Sequence, residues 1–237
     1  MIAPALLFER SGVLALAKPA GLATQAPPGI PSVEAWVREL LYGAAATGYV
    51  GVPHRLDRAV SGVLLMTATP RAARKLSRQF ERREVAKAYR ALVEPRGTEW
   101  TATEPVEWRD LVEKVADEAR ARIAPADAPQ AREALTRARL LARLAGPTAG
   151  RRLLLCLEPH TGRMHQLRLQ AAVRGLPIVG DGLYDPAADR QWCGPAAADR
   201  EPPIALHAER IRYHDPDAGG EVVAEAPVPG SWPAGTG

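Results

Sequence analysis

Asparagine is absent from this chain and lysine nearly so: of 31 basic residues only Lys18, Lys75, Lys87 and Lys114 are lysine, the rest arginine. Alongside abundant Ala, Pro and Gly, that bias is what a GC-rich coding sequence produces, so an excess of arginine is not in itself a binding signal. Two cysteines, Cys156 and Cys193, are too few for a disulfide framework and form no C-x-x-C pair. Cys156, inside the run 153–157, reads as a small buried hydrophobe. No apolar run approaches the roughly 20 residues of a membrane span, and the N-terminus lacks the basic start and long apolar core of a signal peptide. A cytoplasmic location with no membrane partner is therefore expected.

What is present is ample apolar material, 46% of residues, with a net charge of only +4. That suffices for one large domain or two small ones. Val13 to Ala17 reads as a first strand closed by a turn at 18–22. Ser32 is an N-cap for an amphipathic helix over 33–42. Val63 to Thr67 reads as a strand, after which Thr69 caps a helix with Pro70 at its first position and Leu76 and Phe80 on its apolar face. Ala88 to Val93 and Leu153 to Leu157 read as buried strands, and Leu167, Ala171 and Val173 as part of a helix that Gly175 and Pro177 end. The charged, weakly periodic stretch 112–132 reads as an inserted excursion without assigned chemistry. Residues 227–237, rich in Pro and Gly, read as a frayed tail.

The densest chemistry lies at 54–62, His-Arg-Leu-Asp-Arg-Ala-Val-Ser-Gly. Here Asp57 sits between Arg55 and Arg58, an arrangement expected to keep a carboxylate ionised, and Ser61-Gly62 supplies a tight backbone beneath it. A charged loop capping a strand is the plain alternative. A second segment, Glu158-Pro-His-Thr161-Gly-Arg163-Met-His165-Gln-Leu-Arg168, is followed by Pro177-Ile-Val-Gly-Asp181. Between the two lies Lys87-Ala-Tyr89-Arg-Ala91. Lys18-Pro-Ala-Gly21-Leu22 precedes them and Leu206-His-Ala208 follows.

In this order the five elements resemble the signatures of the RluA family of RNA pseudouridine synthases, over roughly residues 12 to 215. The resemblance implies an α+β fold, the pseudouridine synthase fold, with a mixed, mostly antiparallel central sheet flanked by helices and loops. Residues 1–226 would be the catalytic domain, with no room before Lys18 for the S4-type RNA-binding module that relatives often carry. The implied activity is isomerisation of specific uridines in structured RNA, a stem-loop of rRNA or tRNA, to pseudouridine. Asp57 would be the catalytic carboxylate, Arg168 the arginine that pairs with it, and Tyr89 the tyrosine that packs against the target base. Arg55 would fill the space left by a flipped nucleotide. His54, Arg163 and His165 are assigned to RNA binding, with loop ordering the alternative for His54 and Arg163.

The reaction exchanges an N1–C1′ bond for a C5–C1′ bond with no redox change, so no cofactor or nucleotide is implied, and a monomer is expected. Two departures from the family pattern stand out: Val60 replaces a usual Thr, and Met164 a frequent Thr or Ser. Neither removes a catalytic group. A metal site built from His54, His160, His165 and His207 is set aside, because no spacing fits and neighbouring arginines oppose a cation. A non-catalytic RNA-binding protein retaining the domain is the other reading. The intact set of Asp57, Tyr89 and Arg168 favours an enzyme.

Overall fold

In the computed structural model, in chain order, the elements are β1 (Ala5–Arg10), β2 (Val13–Lys18), α1 (Val33–Tyr42), β3 (Ser61–Thr67), α2 (Pro70–Glu81), β4 (Ala86–Val93), β5 (Val106–Lys114), β6 (Ala121–Ile123), β7 (Arg132–Ala145), β8 (Arg151–Pro159), α3 (Gln166–Ala172), β9 (Leu206–His214) and β10 (Glu221–Glu225). The structure describes residues 3–43, 47–145, 151–188, 202–233 and 235–236; Cys193 lies outside them. Two compact units result, one from the N-terminal part through Lys87 together with His207–Pro229, the other from Ala88 onward with Pro202–Leu206 and the residues from Gly230.

In the first unit, Ser11 and Gly12 both take positive φ, the conformation a two-residue hairpin requires, and turn β1 back onto β2. β2 pairs antiparallel with β3, β3 parallel with β9, and β9 antiparallel with β10. Every residue of β3 is buried, which explains why its sequence, Ser-Gly-Val-Leu-Leu-Met-Thr, runs apolar without alternating. One of its faces, Val63 and Leu65, joins Val13, Ala15, Ile211, Tyr213, Val222 and Ala224 beneath Ala72 and Leu76 of α2. Gly62 is obligatory: its φ is +119° and an added Cβ would lie 2.2 Å from the Ala208 carbonyl oxygen, where β9 crosses closest. α1 and α2 begin where their caps predict. The Ser32 hydroxyl accepts from the Ala35 amide at 3.1 Å and that of Thr69 from the Ala72 amide at 3.2 Å.

The second unit is an antiparallel run in the order β4-β8-β7-β5-β6, with α3 on β5 and β6. The expected mixed, mostly antiparallel pairing is found, with β3 and β9 parallel. Cys156 is buried in β8 as read. The segment 112–132 extends the sheet instead of leaving it: β6 pairs with β5, and Val112 and Ala121 pack with Ala134 and Leu169. The C-terminal stretch carries two buried side chains. Trp232 and Thr236 are 8% and 3% exposed, because a tryptophan near the end of a chain has enough apolar surface to hold it down.

Candidate active site

Asp57 occupies a turn between the 54–56 segment and β3, closed by the Val60 amide donating to the Asp57 carbonyl at 3.1 Å. The residues on both sides are held from the 18–24 turn. The Thr24 hydroxyl donates to the Leu56 carbonyl at 2.8 Å and accepts from the Leu56 amide at 3.1 Å. The Arg58 carbonyl accepts from the Gly21 amide at 2.7 Å and from Lys18 Nζ at 3.3 Å. Lys18 also donates to the carbonyls of Leu22 at 2.7 Å and Pro19 at 3.0 Å, so this buried ammonium is spent on three backbone oxygens. The Lys-Pro-x-Gly element, recognisable in sequence but given no role there, is thus the brace of the Asp57 turn.

Arg55 is exposed and, like Arg58, makes no ion pair among the described residues. Lys18, whose neighbours in sequence gave no hint of it, senses the Asp57 charge. Burial pulls Lys18 down to about 7, with Asp57 raising its affinity for a proton and Arg58 lowering it. Side chains that follow one another along a turn diverge, whereas Lys18 arrives from another segment altogether.

His54 is an ordering group. Its Nε2 accepts from the Leu65 amide at 2.9 Å and its ring stacks on Phe80 of α2, centroids 4.7 Å apart. Burial, with a smaller push from Lys87, lowers it to about 3, so it stays neutral. These contacts suit the loop-ordering alternative. Val60, the departure from the family pattern, is only 2% exposed, so its lost hydroxyl is replaced by apolar packing. Behind β3, Ser61 Oγ and His207 Nδ1 lie 2.9 Å apart, while His207 Nε2 donates to the Ala226 carbonyl at 3.0 Å.

In the second unit the Thr-Gly-Arg-x-His-Gln segment seats α3 by hydrogen bonds. Gln166 Oε1 accepts from the Thr161 hydroxyl at 2.7 Å and the Arg163 amide at 3.0 Å. Its Nε2 donates to Leu135 O and Thr136 Oγ1. One turn on, Gln170 Oε1 accepts from Thr136 Oγ1 at 2.6 Å, and its Nε2 donates to Trp108 O and Asp110 Oδ2. Two buried amides with every site engaged define one seating of the helix where apolar packing alone would permit sliding.

That seating positions Arg168, the largest fully buried side chain. Its Nε and Nη2 donate to the two carboxylate oxygens of Asp181, both at 2.7 Å, and the Tyr184 ring lies 5.4 Å from its Cζ. Asp181 is the last residue of the Pro-Ile-x-Gly-Asp element; sequence reasoning noted the element without giving the acid a task. The Tyr184 phenol accepts from the Ala121 amide at 2.9 Å and lies 3.0 Å from His165 Nδ1; burial raises its pKa. His165 itself takes φ +50° as it opens α3. Arg163 donates from Nε to the Glu133 carbonyl at 2.9 Å. Tyr89 lies half-buried on β4, opposite Leu157 of β8. Among the described residues no three His, Cys, Asp or Glu side chains are grouped to hold a metal, and no helix is long and apolar enough to cross a membrane.

The first unit holds a carboxylate turn braced from residues 18–24, and in the second a helix seated by two glutamines carries a buried arginine. The sequence matches the profile of the RNA pseudouridylate synthase family over residues 12–173. It is 37% identical over 194 residues to tRNA pseudouridine synthase C of Salmonella typhi, spanning 78% of this chain and 70% of that one. It is 34% identical over 235 residues to ribosomal large subunit pseudouridine synthase D of Xanthomonas campestris pv. campestris, spanning 94% of this chain and 66% of that one. The solved structure of human RNA pseudouridylate synthase domain containing 1 superposes with a TM-score of 0.71 at 24% identity, over 94% of this chain and 83% of the other, and shares the fold. The chain belongs to the RluA-type RNA pseudouridylate synthase family and carries its catalytic domain.

Proposed function

We propose that Asp57 is the carboxylate through which this pseudouridine synthase isomerises uridine within a structured stem-loop of tRNA or rRNA. The observation that carries the reading is the brace: the backbone on both sides of Asp57 is fixed by Thr24, Gly21 and Lys18. A group that must meet C1′ or C6 of a flipped nucleotide gains most from such preorganisation. The named activities of relatives on tRNA and on the large ribosomal subunit support the substrate class.

In the reaction the N1–C1′ bond breaks, the uracil turns, and a C5–C1′ bond forms. The C5 proton is lost and N1 gains one, so the product is an isomer. Asp57 assists departure of the base and captures or stabilises the electron-poor sugar. Tyr89 packs against the turning uracil, its phenol available to the sugar. Arg168, held in a two-oxygen fork by Asp181, is the arginine assigned to the reaction. Arg55, exposed on the same turn, fills the gap in the RNA stack; Arg163 and His165 contact the RNA around it. No nucleotide cofactor takes part, and the protein acts as a monomer in the cytoplasm.

Asp57→Ala tests the reading: pseudouridine formation on tRNA and rRNA transcripts disappears while RNA affinity stays within a few-fold of wild type. Turnover near the wild-type rate would remove Asp57 from the role.

A further inference from the structure

α2 places its charges against its own dipole. The helix has no acid in its first turn, where one is favourable; Arg71 stands there instead. Arg74, Arg78 and Arg82 follow at four-residue intervals and are all exposed, on the side opposite Ala72, Leu76 and Phe80.

The other exposed arginines on regular elements of the first unit have acidic partners among the described residues: Arg10 with Asp215, Arg71 with Asp217, Arg210 with Glu225 and Arg212 with Glu221. On α2, Arg74 and Arg78 have no ion pair or hydrogen bond, and Arg82 reaches Glu84 only at 3.9 Å. Glu81, the one acid of α2, pairs with none of them. Arg83, just beyond the helix at φ +61°, is likewise exposed and unpaired. A stripe in which two arginines have no internal partner among the described residues, and the third only a long contact, is available to an external anion. The stripe also has a fixed relation to the Asp57 turn, because Phe80 of the last helical turn stacks on His54.

We propose that Arg74, Arg78 and Arg82 form a docking surface for the sugar-phosphate backbone of the RNA beside the target uridine. The inference rests on the function proposed above and adds to it the path of the RNA over this unit. Three arginines at steps of about 6 Å along a helix axis span about 12 Å, enough for about three consecutive phosphates of a strand. A planar guanidinium suits each, since it donates two parallel hydrogen bonds to phosphate oxygens. Because these contacts are made to backbone and not to bases, they strengthen binding without choosing the uridine.

The test is the salt dependence of RNA binding by the triple variant R74Q/R78Q/R82Q. Its three sites are exposed, and circular dichroism confirms folding. Loss of about three phosphate contacts makes the slope of log affinity against log salt shallower by about 2. KM on a stem-loop transcript rises at least about tenfold at low salt, while the rate at saturating RNA stays within about twofold of wild type. The pair R210Q/R212Q, which removes arginines already matched to acids, leaves the slope unchanged. A triple variant with the wild-type slope, or with no more change than the R210Q/R212Q control, overturns the proposal. Wild-type protein that forms no pseudouridine yet loses its salt slope in the triple variant refutes the catalytic reading and leaves the docking surface standing.

Discussion

Replacing Lys18 by Met removes a buried ammonium while keeping a side chain of similar length, and it should change how stability depends on pH. Burial pulls Lys18 from its ordinary 10.5 to about 7 in the folded protein, whereas in the unfolded chain it titrates near its ordinary value. Between those limits the unfolded chain binds one more proton than the folded one, so wild-type stability rises with pH. Integrated from about pH 7 to about pH 9, this single group contributes an increase of about 2 kcal/mol, at about 1.4 kcal/mol per unit. Lys18→Met lacks the titration and therefore lacks the increase. Other groups titrate alike in both proteins, and the cost of leaving the Leu22 and Pro19 carbonyls without their donor does not vary with pH, so both cancel in the difference. Urea unfolding of the two proteins across this range gives the number directly. Asp57→Asn should shift the rise to lower pH, because the Asp57 charge is the one that favours the Lys18 cation. Parallel stability curves for wild type and Lys18→Met would refute the reasoning.

Removing Asp181 strands a buried guanidinium, and Asp181→Ala should cost about 3–5 kcal/mol in urea unfolding; a loss below about 1 kcal/mol would mean the fork matters little. Tyr89→Phe and Arg168→Lys should each slow single-turnover pseudouridine formation at least about tenfold, with smaller effects on RNA affinity, when rates are taken on folded protein. Wild-type rates in both would show that these two residues were misassigned. Arg55→Ala should cut the rate strongly on a folded stem-loop and much less on an RNA whose target uridine is already unstacked. An equal loss on both, with a shallower salt slope, would make Arg55 a phosphate contact instead of a wedge.

Local order was largely legible before any coordinates. Ser32 and Thr69 are caps by their hydroxyls, Pro70 suits only a first helical turn, and the apolar run at 63–66 suits a strand covered on both faces, so those boundaries fall within a residue or two of where the chemistry puts them. β1, β9 and β10 were not readable as strands. Their alternation is short, and part of what buries them is supplied by residues far away in sequence. The segment 112–132 misled for the same reason: its charges face outward, and the burial of Val112 and Ala121 depends on Leu169 of a later helix.

Residue types and their order were enough to mark the Asp57 turn, Tyr89 and Arg168 as the chemistry of this protein, because a reaction needs particular functional groups and those are written in the chain. Which group serves which partner was decided only by the tertiary structure. Arg55 and Arg58 flank Asp57 in sequence, and the fold adds Lys18, 39 residues upstream, which feels the Asp57 charge and whose ammonium reaches across to the Arg58 carbonyl. Arg168 takes its fork from Asp181, and Gln166 and Gln170 seat its helix on a residue 30 and 34 positions earlier, Thr136. Coulomb attraction and hydrogen bonding act over a few ångströms in a stated direction, and only the fold determines which distant side chains come within that reach.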